Sequence, residues 1–221
     1  MGKRGPKPKG EVSTRWSAQL AYAVGLLVTD GNLAKVPGHI TFTSKDRQQI
    51  TNYMRCLGIN KKIGKTKSGY NGNISLRVQL KDILFYNFLV SIGVTPAKSK
   101  TLKSIAIPDL FFFDFLRGVF DGDGSSYSYW DKRWKSSFMF YVGFASASPI
   151  FIFWLQRKVY SFLGITGHIS ADGRKITQQL KYAKRESLIL LKRMYDSRSV
   201  VCLMRKRLKL EKTLAIVGEQ L

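Results

Sequence analysis

Residues 116–124 read LRGVFDGDG, a run that we interpret as the end of a helix closed by Asp123-Gly124. A similar run, AVGLLVTDG at residues 23–31, closes with Asp30-Gly31. Two such runs at matching places indicate an internal repeat. This repeat decides the predicted fold more than either run does alone, because an isolated Asp-Gly pair is common in turns.

Other features recur at similar offsets after each run. A strand closes with Phe-Thr-Ser at residues 42–44 and with Phe-Ala-Ser at 144–146, and a helix ends in Leu-Gly-Ile at 57–59 and at 163–165. Helical and period-two apolar spacings fill the segments between these points. The sequence therefore predicts an α+β fold in which the order αββαββα occurs twice.

Composition and pattern divide the chain into five segments. Residues 1–14 are rich in Pro, Gly and Lys and are expected to form a flexible basic arm. We predict the first repeat over residues 15–94, a linker over 95–107, the second repeat over 108–195 and a basic helical tail over 196–221.

Several local signals refine the predicted elements. The first helix is predicted from Trp16 to Asp30, with Ser13 or Thr14 as its N-cap and Gly31 as a C′ glycine. A second-repeat helix is predicted to begin at Pro108-Asp109, and Asp172-Gly173 predicts a type I′ turn.

The chain has 221 residues and a formal net charge of +23, from 37 Lys and Arg against 14 Asp and Glu. Because 44% of the residues are hydrophobic and 13% aromatic, the chain is expected to fold, unlike a disordered basic tail. The basic residues are spread over the predicted elements, which favours a polyanionic partner such as nucleic acid. A generally basic, solvated surface is the alternative interpretation.

Composition also excludes several classes of protein. No stretch of about 18 apolar residues could form a transmembrane helix, and the basic N-terminus lacks the apolar segment of a secretory signal. Cys56 and Cys202 are too few for a disulfide scaffold, and with His39 and His168 they do not form a zinc site. We therefore expect an intracellular protein in a reducing compartment, with no membrane partner.

Small residues lie four apart in each Asp-Gly run: Gly25 and Thr29 in the first, Gly118 and Gly122 in the second. This spacing puts them on one helix face, where two helices can approach closely. A roughly parallel pairing of the helices would bring their C-terminal ends together.

Asp30 and Asp123 would then meet at two helix C-termini. The helix dipoles and the like charges both disfavour this arrangement. A divalent cation relieves both effects, and oxygen ligands of this kind suit Mg²⁺ or Ca²⁺. Beside phosphates, such a site can activate a water and stabilise the leaving oxygen of a phosphodiester.

At these runs the sequence resembles the LAGLIDADG homing endonucleases. The resemblance extends from about Trp16 to Arg207 and includes Ser44-Lys-Asp and the stretch from Gly93 to Lys100. It implies a single-chain enzyme in which each repeat supplies a curved four-stranded antiparallel sheet backed by helices. The two motif helices would form the central interface, and the two sheets a saddle over the DNA major groove.

The resemblance also implies an activity: site-specific hydrolysis of both strands of a long asymmetric duplex, in the service of intron or intein mobility. The last acid of each motif would bind Mg²⁺ or Mn²⁺, with Ca²⁺ as a non-catalytic occupant. These acids are Asp30 and Asp123, each followed by its glycine, Gly31 or Gly124. The enzyme would act on double-stranded DNA as a monomer that requires no protein partner, in the cytoplasm of a bacterium or phage host or in an organelle.

Members of the family also use a basic residue near each half-site to polarise water or offset charge. In the first repeat this residue would be Lys98 or Lys100. In the second it would be Arg205 or Lys206.

Three further residues fall on positions of the motif pattern. Ser44 and Ser146 fall where a polar residue orients the water network. Asp121 falls on an earlier acid of the motif, where the first repeat has Val28, and we interpret it as a helix-end or capping residue.

The predicted strands would carry DNA recognition, because polar and basic residues that alternate with apolar ones can contact base edges or phosphates. A solvated strand face is the alternative for each residue alone. The candidates are Lys35, His39, Thr41, Thr43, Lys65, Lys67, Arg77 and Gln79 in the first repeat, and Tyr127, Tyr129, Lys132, Arg133, Lys135, Arg174, Lys175, Gln178 and Lys181 in the second.

Two other functions fit the same fold. One is a maturase that binds intron RNA, and the other is a DNA-binding regulator without cleavage. Retention of both Asp30 and Asp123 favours the nuclease over either of them.

Overall fold

A computed structural model of the protein describes residues 10–67, 72–171, 177–197 and 199–221. Its helices are α1 (Ala18–Asp30), α2 (Arg47–Leu57), α3 (Ile83–Ser91), α4 (Phe112–Asp123), α5 (Pro149–Leu163), α6 (Lys184–Met194) and α7 (Met204–Ala215). Its strands are β1 (Gly31–Leu33), β2 (His39–Ser44), β3 (Gly64–Lys67), β4 (Ile74–Lys81), β5 (Ser125–Trp130), β6 (Phe138–Ser146), β7 (His168–Ala171) and β8 (Gln178–Ala183).

These elements follow the order αββαββα twice, and α7 comes last. The strands form two four-stranded sheets with the orders β1-β2-β4-β3 and β5-β6-β8-β7, and every neighbouring pair is antiparallel. Because the two orders correspond strand for strand, the predicted α+β fold of two pseudo-symmetric repeats is confirmed.

Helices α1 and α4 pack against each other at the centre of the molecule. A Cβ added at Gly25 would lie 2.8 Å from the Val119 nitrogen and 2.9 Å from the Gly118 Cα. One added at Gly118 would collide with the Tyr22 carbonyl oxygen. The small residues therefore allow backbone-to-backbone contact, as their spacing predicts.

Each sheet buries one face and leaves the other uncovered by helices. In the first sheet Phe42, Val78 and Leu80 are buried, and in the second Phe144 and Leu180 are buried. Side chains alternate between the two faces of a strand, so the intervening residues lie on the opposite face. We call this opposite face the open face of each sheet.

Gly31 and Gly124 end the motif helices in a way that the sequence does not predict. Their φ angles are −88° and −74°, so neither residue is a left-handed C′ glycine. A Cβ at Gly31 would lie 2.5 Å from the Leu27 carbonyl oxygen, and one at Gly124 would lie 2.6 Å from the Phe120 oxygen. Close packing on the preceding turn, and not backbone handedness, explains why glycine occupies both positions.

Two predicted helix starts differ from the structure. The N-cap of α1 is Ser17, whose side chain accepts a hydrogen bond from the Leu20 N–H at 3.1 Å, so neither Ser13 nor Thr14 has this role. Ahead of α4, Asp109–Phe111 forms a 3₁₀ turn, and the α-helix begins at Phe112. The predicted turn at Asp172-Gly173 lies outside the described residues, as do residues 1–9 of the arm.

The segment between the repeats packs against both of them. Leu102, Ile105 and Ile107 are buried. The Leu102 carbonyl accepts a hydrogen bond from the Ser148 hydroxyl at 2.5 Å, and the Ala106 N–H donates to the Ile92 carbonyl at 2.9 Å. Residues 94–107 are therefore part of the folded core.

The segment that leads into α7 is tied to α4. Arg117, which is buried, donates to the carbonyl oxygens of Met194 at 2.5 Å and Val201 at 2.9 Å.

Among the helices that the structure describes, none is long and apolar enough to cross a lipid bilayer.

Candidate active site and nucleic-acid interface

Asp30 and Asp123 are the last residues of α1 and α4, so the glycine contact between these helices brings their carboxylates together. Burial, followed by the charge of Asp123, raises the pKa of Asp30 to about 6. Asp123 is more open to solvent, and partial burial raises the pKa of its carboxylate as well. The structure thus holds two acids where their charged forms are disfavoured.

Two lysines reach the ends of the same helices, one from the segment that follows each repeat. The Lys98 ammonium donates to the Gly31 carbonyl at 2.5 Å, and that of Lys206 donates to the Gly124 carbonyl at 2.7 Å. A cation at a helix C-terminus interacts favourably with the helix dipole and with the exposed carbonyls. Burial, the largest influence on both, lowers the pKa of Lys98 and of Lys206 to about 8.

The other two basic candidates lie elsewhere. Lys100 is exposed and makes none of the described contacts with the acid pair. Arg205 forms a 2.8 Å surface ion pair with Asp46. Of the four basic residues that the sequence offers, the structure brings Lys98 and Lys206 to the acids.

Gln49 is a polar residue of the site that sequence reasoning missed. It is buried, and its amide donates to Asp30 Oδ2 at 3.4 Å and to the Asp121 carbonyl at 3.2 Å. Its side-chain oxygen accepts a hydrogen bond from the Ser44 hydroxyl at 2.6 Å. The position that matches it, three residues after the N-cap of α5, is Phe151, so only the first repeat has this link.

Each of the two serines lies near one acid of the pair. Ser44 reaches Asp30 through the side chain of Gln49. Ser146 lines a cleft of about 130 Å³ together with Asp123, Lys98 and Thr29. Ser44 is thus linked to Asp30 through Gln49, and Ser146 shares a cleft with Asp123.

The position of Asp121 in the sequence predicts a helix-end or capping residue, but its side chain has other partners in the structure. It is 1% exposed, and its Oδ2 accepts hydrogen bonds from the Tyr22 hydroxyl and from the Leu203 N–H, both at 2.7 Å. Leu203 is the N-cap of α7, the helix that carries Lys206. Asp121 therefore anchors the segment that delivers this lysine, whereas Val28 occupies the matching place in α1.

The donor set fits a divalent cation that is shared with a substrate. Within the described ranges no three His, Cys, Asp or Glu side chains form a group that could hold a metal by themselves. Mg²⁺ in proteins commonly uses one or two carboxylates together with substrate phosphates and water. Two adjacent carboxylates of raised pKa provide this partial set.

The open face of the first sheet is polar and basic. Thr41 pairs with Gln79 and Thr43 with Arg77 on this face, and His39 pairs with Lys81. Asn32, which the sequence did not single out, joins them opposite Thr41. Lys35 is exposed in the loop between β1 and β2.

Lys65 and Lys67 point away from this open face. They pair with Leu76 and Ile74 in β4, and Thr66 between them shares the open face with Ser75. Lys65, Thr66 and Lys67 all have polar or charged side chains, so the sequence does not show which of them face inwards.

In the second sheet, strand β8 also differs from the predicted set of DNA-facing residues. Lys181 pairs with Gly143 on the open face, whereas Gln178 pairs with Ser146 and shares the inner face with Leu180. Gln179 is therefore the open-face residue. Lys132, Arg133 and Lys135 are exposed in the loop between β5 and β6, and Arg174 and Lys175 lie outside the described residues.

The two matching sheets and the paired helix ends are those of the LAGLIDADG fold. Solved structures of homing endonucleases share this fold with the chain. I-WcaI bound to its DNA recognition sequence has a TM-score of 0.60 at 16% identity, covering 94% of this chain and 95% of that one. A variant of I-DmoI, in complex with its target DNA in the presence of Mg, has a TM-score of 0.53 at 15% identity over 82% and 97%.

Full-length DUF199/WhiA from Thermatoga maritima has the same fold, with a TM-score of 0.55 at 14% identity over 92% of this chain and 69% of that one. No protein-family model matches the sequence, and no curated protein matches it. The likeness to solved structures therefore establishes the fold and does not by itself establish an activity.

Proposed function

We propose that the protein is a site-specific, metal-dependent DNA endonuclease that hydrolyses phosphodiesters in both strands of a long duplex. The observation that carries the proposal is the pair of acids, Asp30 and Asp123, at two abutting helix ends, with the buried Lys98 and the half-buried Lys206 beside them. A basic protein gains nothing in stability from this acid pair, because burial and like charge both disfavour it.

Asp30 and Asp123 would hold the divalent metal at the seam between the repeats. When bound, the metal supplies an activated water and stabilises the leaving oxygen of the phosphodiester. The two carboxylates would fix the position of the metal, because each lies at the rigid end of a packed helix. Duplex DNA presents two scissile phosphates, one on each strand, to the two halves of the site.

Lys98 and Lys206 would act on the charge and the protons of the reaction. With pKa values of about 8 both are mostly protonated at neutral pH, so they can stabilise negative charge on the phosphate. The same lowered pKa brings them close to the range in which a lysine can exchange a proton with a neighbouring water. Burial of Lys98 and half-burial of Lys206 strengthen their attraction for the phosphate, because fewer waters screen the charge.

DNA binding is supported by the two open faces and by the charge of +23. A duplex laid across both sheets would bring many phosphates near Lys and Arg side chains. Affinity should accordingly fall steeply with salt, because each neutralised phosphate releases counterions.

A DNA-binding protein that does not cleave is the second candidate. The similarity to DUF199/WhiA, whose name does not describe an endonuclease, favours it, because one fold can host both functions. Stable duplex binding without nicking at any concentration of Mg²⁺ or Mn²⁺ would support this candidate.

The proposal is tested with a library of randomised duplexes. We expect the protein to enrich a discrete asymmetric site in Ca²⁺ and to cut both strands of it in Mg²⁺ or Mn²⁺. Addition of EDTA should stop cutting. If cutting persists in EDTA, or if no duplex is enriched over random DNA, the proposal is wrong.

Cleavage should depend on pH along a bell-shaped curve. Below about pH 6, Asp30 takes up a proton and ceases to be a metal ligand, so the rate should fall as the pH is lowered. Above about pH 8, Lys98 and Lys206 lose their charge, so the rate should fall again. Because metal and proton compete for Asp30, more Mg²⁺ should shift the acid limb to lower pH.

Single-turnover nicking rates between about pH 5 and pH 9, at two Mg²⁺ concentrations, measure this curve. Lys100→Gln is the matched control, because Lys100 is exposed and should leave the curve unchanged. A profile that stays flat over this range would exclude the proposed roles of Asp30 and the two lysines.

A further inference from the structure

The two open faces differ in chemistry although their strands correspond. On the first sheet the face presents hydrogen-bonding and basic side chains. They are Asn32, His39, Thr41, Thr43, Ser75, Arg77, Gln79 and Lys81. Arg and Gln at such positions can make bidentate hydrogen bonds to guanine and adenine in the major groove.

On the second sheet the corresponding face carries a stack of three tyrosines. Tyr127 lies opposite Tyr141, with ring centroids 4.9 Å apart and the planes inclined by 15°. Tyr129 also stacks on Tyr141, with ring centroids 6.3 Å apart and the planes inclined by 15°. We call Tyr127, Tyr129 and Tyr141 the tyrosine stack.

The stack is accessible from solvent. Tyr127 is 41% exposed and Tyr129 is 46% exposed, although both are large apolar rings. The next residues of β6 on this face, Gly143 and Ala145, are small, so no large side chain of that strand follows the rings. The β5–β6 half of this face therefore offers an aromatic surface, where the corresponding strands β1 and β2 offer amide, hydroxyl and imidazole groups. Its β7–β8 half carries His168, Gln179 and Lys181.

Tyr127 and Tyr141 stay neutral, so their rings do not act as charged ligands for DNA. Burial raises the pKa of Tyr127. The pKa of Tyr141 is also raised, mainly by its hydrogen bond with Tyr129. An aromatic ring cannot make the bidentate hydrogen bonds of Arg or Gln. In the major groove the apolar feature of a base pair is the C5-methyl group of thymine, which apolar side chains contact directly.

We propose that the tyrosine stack recognises a half-site rich in thymine through contacts with thymine methyl groups, whereas the first sheet recognises its half-site through hydrogen bonds. This inference rests on the proposed function, because it assumes that both open faces lie in the major groove of one duplex. It adds the chemical character of each half-site and the residues that determine it.

A purely structural role would also account for stacked tyrosines, because cross-strand aromatic pairs stabilise antiparallel sheets. The two roles are separated by changing the DNA and leaving the protein intact. Uracil lacks the methyl group of thymine and keeps its base-pairing edge. A structural stack would not respond to this exchange.

The experiment uses the duplex enriched in Ca²⁺, so that binding is measured independently of cleavage. Each half-site is first assigned with Arg77→Ala, which should relax base preference in the half that the first sheet contacts. Thymines are then replaced by uracil in one half at a time. In the other half, we expect each contacted methyl group to weaken binding about 4-fold when it is removed, the effect of one buried methyl group.

Two variants connect this effect to the stack. Tyr127→Phe keeps the ring and should keep the sensitivity to uracil. Tyr127→Ser removes the ring and should reduce the sensitivity, with a melting temperature measured alongside to show that the protein remains folded.

The outcomes separate the inference from the proposed function. Equal sensitivity in both halves, sensitivity only in the first-sheet half, or none in either would overturn the inference even if the duplex is cut normally. Methyl-dependent binding in the second half without cleavage would support the inference and count against the nuclease. Failure to enrich any duplex would overturn both.

Discussion

Replacing Asp30 with Asn is expected to abolish cleavage while leaving the protein folded and able to bind DNA. The variant keeps the shape of the side chain but loses the negative charge that holds a divalent metal. Even the outer-shell partners of a metal site cost about 10- to 100-fold in affinity or activity when removed, so loss of a direct ligand should cost about 10³-fold or more. Asp123→Asn should behave in the same way.

The same substitution should make the protein more stable. The pKa of Asp30 is raised in the folded state to about 6, so ionisation of Asp30 at pH 7 works against folding. Asn removes this ionisation, and we expect a gain on the order of 1–2 kcal/mol at pH 7 in the absence of metal. The gain should vanish as the pH falls below about 4, where Asp30 is protonated in the folded and the unfolded states alike.

Urea unfolding in EDTA at both pH values, together with single-turnover cleavage in Mg²⁺, measures the two effects. The matched control is Asp109→Asn, because the side chain of Asp109 is 68% exposed and its ion pair within the described ranges is with Lys158 at the surface. This control should change neither activity nor stability appreciably. An Asp30→Asn protein that cuts normally, or one that unfolds more easily than the parent, would contradict the assignment.

Gly118→Ala is expected to destabilise the protein strongly although it adds only one methyl group. The added Cβ would meet the Tyr22 carbonyl oxygen and lie 3.0 Å from the Gly25 Cα. These atoms belong to the backbone of α1, so relief requires the two helices to move apart. Overpacking of this kind costs about 1–3 kcal/mol or more, and a larger side chain such as Leu should prevent folding.

Gly143→Ala is the control for this prediction. The nearest atoms to a Cβ at Gly143 are 3.5 Å away, at ordinary contact distance, so the free energy of unfolding should change little. Urea unfolding of both variants gives the comparison. Cleavage should fall with stability in Gly118→Ala, because separating the helices also separates Asp30 from Asp123. Equal stability of the two variants would mean that the helices do not pack through Gly118.

The internal repeat made much of the fold predictable. Apolar spacing and turn residues are local signals, and their recurrence in two halves fixed the order of elements. The small residues near Gly25 and Gly118 also indicated which helix faces meet. These signals are enough to predict that Asp30 and Asp123 come together, because both acids lie at the helix interface that the small residues define.

Contacts between side chains that are far apart in the sequence were harder to predict. Gln49 reaches the Asp121 carbonyl, and Asp121 reaches Leu203, through contacts that no local periodicity records. Lys98 and Lys100 are alike in sequence, and only the burial of the segment around Lys98 distinguishes them. For Lys65 and Gln178, a shift of one residue along the strand moves the side chain to the other face of the sheet. Apolar and polar residues alternate only weakly in these strands, so the sequence does not determine which face each side chain occupies.

The packed segment at residues 94–107 also determines where such a protein can be recombined. It carries Lys98 into the site, and its Leu102 carbonyl receives the N-cap hydroxyl of α5. A chimera that joins the first half of this chain to the second half of another should therefore be spliced after Ile107 and not directly after α3. Its new partner would also need a hydroxyl at the position of Ser148.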